Sequence, residues 1–86
     1  MNLLEGINGI LNDYDLTGAM VDDIENPYMD VALEIHFYMV NIYDKDAYHN
    51  SSFLAKAISN ILYGNLKIVP DSSLCLGMAL EIMELV

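Results

Sequence analysis

The stretch Asn26-Pro27-Tyr28-Met29-Asp30 constrains the fold more than any other part of the chain. Asparagine is a preferred helix cap, and proline at the first helical position lacks an N–H that would have had no partner there. An acid in the first turn adds a favourable interaction with the helix dipole. A helix therefore opens here. Its following residues Val31, Leu33, Ile35, Phe37, Tyr38, Met39 and Ile42 are apolar around most of the circumference, the pattern of a helix buried on more than one side. This second helix is expected to be the spine of the core.

Three further segments share the helical period. Leu3, Leu4, Ile7, Ile10 and Leu11 place apolar side chains on one face of a first helix ending near Tyr14. Gly6 and Gly9 each cost it about 1 kcal/mol relative to alanine, so it depends on packing, and the glycines permit close approach of another helix. Residues 13–26 carry clustered acids and Gly18 with no sustained period, and read as an ordered acidic loop. After the polar connector 44–50, Asn50 or Ser51 can cap a third helix carrying Phe53, Leu54, Ala57, Ile58, Ile61 and Leu62, which Gly64 is expected to stop. Leu66 to Pro70 form an extended linker, and Asp71 caps a fourth helix with Leu74, Leu76, Met78, Leu80, Ile82, Met83 and Leu85. A strand over 66–69 would have nothing to pair with. The expected fold class is all-α, a compact bundle of about four helices with an ordered acidic loop between helices one and two.

With 86 residues the chain has room for a single core, so residues 1–86 are read as one helical domain. An apolar content of 55% argues against disorder despite a formal charge of -10. Cys75 is alone, so no intrachain disulfide can staple the fold. Glu34, Gly64 and Glu81 break the apolar runs before they reach the roughly 20 residues of a membrane span. The N-terminus has no basic residue before its apolar positions, unlike a signal peptide, and the expected location is cytoplasmic.

The order of these features resembles a family of small all-helical bacterial proteins, largely of uncharacterised function. In that family a first helix runs into Trp-Asp-Pro-aliphatic-Gly, followed by an acidic loop and a second helix whose start carries an aromatic and an acid. Here the corresponding residues are Tyr14-Asp15-Leu16-Thr17-Gly18, then Asn26-Pro27-Tyr28-Met29-Asp30, then Phe53-Leu54-Ala55-Lys56-Ala57-Ile58, and Cys75 in the last helix. Tyr14 stands where the family has Trp, and Leu16 where it has Pro. The resemblance implies a helical fold and carries no catalytic residues to transfer.

Chemical motifs are few. Asp13-x-Asp15-x-Thr17-Gly18 opens like a calcium loop, but the twelfth position holds Ile24 where a bidentate Glu is needed, and Asn26-Pro27 interrupts the exit helix. Capping and turn formation account for Asp13, Asp15 and Gly18 without a metal. His36 has no partner at helical metal spacing, and Cys75 lies between Leu74 and Leu76, which favours a protonated thiol. Ser51, Ser52, Ser72 and Ser73 sit at helix starts, where capping explains them, and no glycine-rich phosphate loop is present. No enzyme, metal or cofactor is expected.

Charge placement is the stronger signal. Nine acids, from Glu5 to Asp44, precede the first base, Lys45. Such a field repels nucleic acid and anionic membrane and steers a basic protein partner. Tyrosine is a frequent interface anchor, and Tyr14, Tyr43 and Tyr48 lie among the acids. The expected contact surface is Asp13, Tyr14, Asp15, Asp22, Asp23, Glu25, Tyr43, Asp44, Asp46 and Tyr48. In physical style the chain is similar to acidic immunity proteins that neutralise nuclease toxins, and the expected function is that of a protein-binding inhibitor of a basic toxin. The alternatives are a phage-type inhibitor of a nucleic-acid-binding defence complex, and a housekeeping domain that forms a homodimer through apolar side chains of helix four.

Overall fold

A computed structural model describes residues 2–18 and 27–86. Among them are four helices and no strand: α1 (Leu3–Tyr14), α2 (Met29–Asn41), α3 (Asn50–Leu66) and α4 (Ser72–Met83). Each packs on its neighbour in the chain, and α4 closes the ring against α1. Gly6 faces Leu85 while Tyr14 faces Gly77, so α1 and α4 run antiparallel. Contacts between Glu34 and Asn65, and between Tyr43 and Asn50, show the same relation for α2 and α3. The shortest dimension, 18 Å, is that of two stacked helices.

Local chemistry sets both ends of α1 and the start of α4. Asn2 caps α1, its side-chain oxygen accepting the Glu5 N–H at 2.8 Å. Asp15 closes that helix in the left-handed region at φ 45° and donates its N–H to the Leu11 carbonyl. Asp71 caps α4 as expected, accepting from the Ser73 N–H and hydroxyl, both at 2.8 Å. These two hydrogen bonds hold its carboxyl below the ordinary carboxylate range.

Three boundaries differ from expectation. Pro27 and Tyr28 form a turn and α2 begins at Met29, because the Tyr28 ring goes into the core and its hydroxyl is engaged elsewhere. Asn26 itself, with the rest of 19–26 and most of the expected acidic loop, lies outside the described residues. At α3 the cap position is His49, in the left-handed region without a side-chain bond, while the Asn50 side chain reaches back to the Lys45 carbonyl and the Tyr43 hydroxyl. The same helix passes through Gly64 to Leu66, which packs against the core and holds the extra residues in register. Lys67, at φ 57°, ends it.

The core is one narrow stripe per helix. It contains Ile7 and Leu11 of α1, Val31, Ile35 and Met39 of α2, Leu54, Ile58 and Leu62 of α3, and Cys75, Met78 and Ile82 of α4. Spacings of three and four residues bring these side chains to one face, and each fully buried large aliphatic contributes about 1.5–3 kcal/mol. Ala32 of α2 and Tyr28 in the turn before it complete this part of the core. Two glycines admit close contacts. A Cβ on Gly6 would lie 2.9 Å from Leu85, and one on Gly77 would lie 2.8 Å from the Tyr14 hydroxyl, whereas Gly9 faces open space.

The expectation that α2 is buried on several sides is not met. Leu33, Phe37, Val40 and Ile42 are exposed, because a ring of four helices gives each only one inward face. On α4, Met78 and Ile82 are core, while Leu74, Leu76 and Leu80, and Leu85 just past its end, are partly exposed.

Candidate functional site

The expected contact residues separate into two groups at opposite ends of α2. The first lies at the junction of α1 and α2. Tyr14, the last residue of α1, is half-buried over Gly77 and hydrogen-bonds to Glu81 on α4. That bond, with burial and the charge of Glu81 adding to it, raises the phenol above its ordinary pKa. Asp15 is turned toward the Tyr28 hydroxyl, which donates to its carboxylate at 2.6 Å. A phenol has one hydrogen, so Thr17 donates the other two bonds, from its N–H at 3.0 Å and from its hydroxyl at 2.8 Å. Tyr14 and Asp15 therefore do structural duty, and Asp13 alone of this group is exposed.

The second group is the connector between α2 and α3. Asp44 and Asp46 are both exposed, with the Asp44 carboxylate accepting the Asp46 N–H at 3.0 Å to hold the turn. Tyr48 is 84% exposed, its ring tilted against His49 with centroids 3.9 Å apart. Tyr43 is half-buried, its hydroxyl accepting from Asn50. The 13 residues of α2, about 20 Å of helix, stand between the two groups. Asp22, Asp23 and Glu25 lie outside the described residues.

Between the groups, apolar side chains expected in the core lie at the surface. Two adjoining depressions form a groove between α2 and α3. The larger, about 570 Å³, is lined by Leu33, Phe37, Tyr38, Ile42, Ala57 and Ile61, with Glu34 at its edge. The other, about 380 Å³, shares Tyr38, Ile42 and Ala57 with it and continues to Tyr43, Asp44 and Phe53. Leu33, Phe37, Ile42 and Phe53 are 47%, 61%, 59% and 59% exposed. The Glu34 carboxylate accepts a hydrogen bond from Asn65, which holds it beside the groove. The sequence signal for this surface was the excess of apolar residues around α2, more than one inward stripe can bury.

Other chemistry is sparse. Burial pushes the Cys75 thiol up, a hydrogen bond from Ser59 opposing it. Among the described residues no three His, Cys, Asp or Glu side chains come together as a metal site, and no helix is long and apolar enough to cross a membrane. The chain matches no protein-family model, no curated protein and no solved structure.

Proposed function

We propose that this protein acts by binding another protein as an inhibitor, with a cognate basic toxin of nuclease type as the leading target. The observation that carries the reading is the pairing of solvent-exposed apolar side chains, Leu33 and Phe37 on α2 and Ile42 just past its end, with carboxylates at both ends of that helix. Apolar anchors supply affinity at an interface core, and a rim of one charge sign supplies approach rate and selectivity. A chain of charge -10 with three basic residues favours a cationic surface, such as one built to hold nucleic acid.

The test is a pull-down from the native cell lysate at low and then moderate salt, followed by co-expression with the retained protein. The expected result is a basic, nuclease-like protein released by salt, whose toxicity this chain suppresses. Charge reversal at Asp44 and Asp46 then slows association about tenfold or more at low salt. Retention of this chain alone, or a target whose activity is unaffected, overturns the reading. If reversal at Asp22 and Asp23 leaves binding and its salt dependence unchanged, those two residues are not part of the surface. A nucleic-acid-binding defence complex in place of a toxin would assign the same physics to the alternative target.

A further inference from the structure

We infer that the groove between α2 and α3 is the seat of a basic amphipathic helix supplied by the partner protein. The inference rests on the proposed protein-binding function and names the element of the partner that the groove receives.

Shape argues for a helix. From Leu33 to Ile42, the residue just past the end of α2, the groove follows that helix for ten residues, about 14 Å, with α3 as an antiparallel second wall. Two packed helices present a furrow into which the ridge of a third fits. Apolar side chains at i, i+4 and i+7 of such a helix span about 11 Å, within the length of the furrow. An added strand would find nothing to pair with, since the backbone groups along both walls are used within α2 and α3.

Charge argues for a basic one. Glu34 lies at the edge of the groove with Asp30 one turn earlier on the same helix, and Asp44 lines the other end with Asp46 beside it. Among the described residues that line the groove, the one base is Lys56. A helix with Lys or Arg at both ends meets carboxylates at both ends of the furrow, and its apolar side meets Phe37, Ile42 and Ala57. A second copy of this chain would bring another charge of -10 to the same surface, which self-repulsion opposes.

The experiment uses the full chain and a synthetic peptide of about four helical turns, with Leu or Phe at i, i+4 and i+7 and Lys on the outer face and both ends. Comparison peptides are a scramble of the same composition and a version with Glu replacing Lys. Binding is measured by calorimetry at two salt concentrations and located by amide shifts in the labelled protein. The expected result is binding centred on Leu33, Phe37, Ala57 and Ile61, with both comparison peptides at least about tenfold weaker. Phe37→Glu and Leu33→Asp, both at exposed positions, each weaken it by about tenfold while circular dichroism stays helical. Should one variant unfold, the other and the shift map decide the matter.

Absence of binding, equal binding of the scramble, or shifts confined to the connector overturns the inference. So does a dimer in sedimentation that Phe37→Glu dissociates and the peptide does not. The two readings can fail separately. Peptide seated in the groove without suppression of any target's toxicity removes the inhibitor reading and leaves the groove. Full suppression by Phe37→Glu, with loss on reversal at Asp44 and Asp46, removes the groove and leaves the inhibitor.

Discussion

The two faces of α2 are built from similar residues and meet opposite fates. Val31, Ile35 and Met39 are sealed in the core, while Leu33, Phe37 and Val40 stand in solvent on the same helix. No difference in hydrophobicity separates the two sets; position around the helix axis does. Each helix of the ring turns one stripe inward, and on α2 that stripe carries Val31, Ile35 and Met39. The lesson is that an apolar residue on a small helical protein is core only if another element is available to cover it. The uncovered remainder is the material from which a binding surface is made.

The strongest way to break this comparison is to truncate one residue on each face. Ile35→Ala removes a fully buried side chain and is expected to cost about 2–5 kcal/mol in urea unfolding, with a corresponding fall in Tm. If that loss were no larger than the loss at Phe37, the inner face would not be the one that holds the fold together.

Tyr28→Phe tests how the start of α2 is fixed. It keeps the buried ring and removes the hydroxyl shared by Asp15 and Thr17, and is expected to cost about 1–3 kcal/mol. An unchanged midpoint would mean that ring burial alone positions the junction with α1.

Phe37→Ala sharpens the comparison from the other side. At 61% exposure it is expected to change stability by no more than about 0.5 kcal/mol, with the helix signal retained. A loss above 2 kcal/mol would place this side chain in the core energetically and undercut its role as an anchor.

The smallest effect is expected at Asp71, the exposed cap of α4. Its carboxyl is held below its ordinary pKa, first by the Ser73 N–H and then by the Ser73 hydroxyl. A group depressed in the folded state stabilises the fold above the ordinary carboxylate value near 4 and loses that contribution as pH falls through the lowered folded value. Asp71→Asn, which keeps the cap, is expected to remove this part of the acid slope and to leave neutral-pH stability nearly unchanged. An identical slope in acid titration of the two proteins would assign it to other carboxyls.

Much of the fold was legible in the residues. Helical periods located all four helices, and the end of α1 and the Asp71 cap fell where expected. The errors at the starts of α2 and α3 and at Gly64 share a cause. Pro27, Asn50 and Gly64 carry strong local preferences, and tertiary contacts of Tyr28, Tyr43 and Leu66 overrode them. Of the expected contact residues, Asp44, Asp46 and Tyr48 are exposed, as a polar connector and its charges lead one to expect. Tyr14 and Asp15 gave the same sequence signal, yet their polar atoms are turned to Glu81 and Tyr28.

By itself the sequence determined the helical class, the anionic character and the excess of apolar side chains over what a short bundle can enclose. These are properties of residue type and period, and they do not depend on how the helices meet. Which apolar face of α2 stays uncovered, and which tyrosines are anchored inward, was decided only in the tertiary structure. Both depend on the rotation of each helix toward its neighbours, and when a helix is apolar nearly all round, period alone does not fix that rotation.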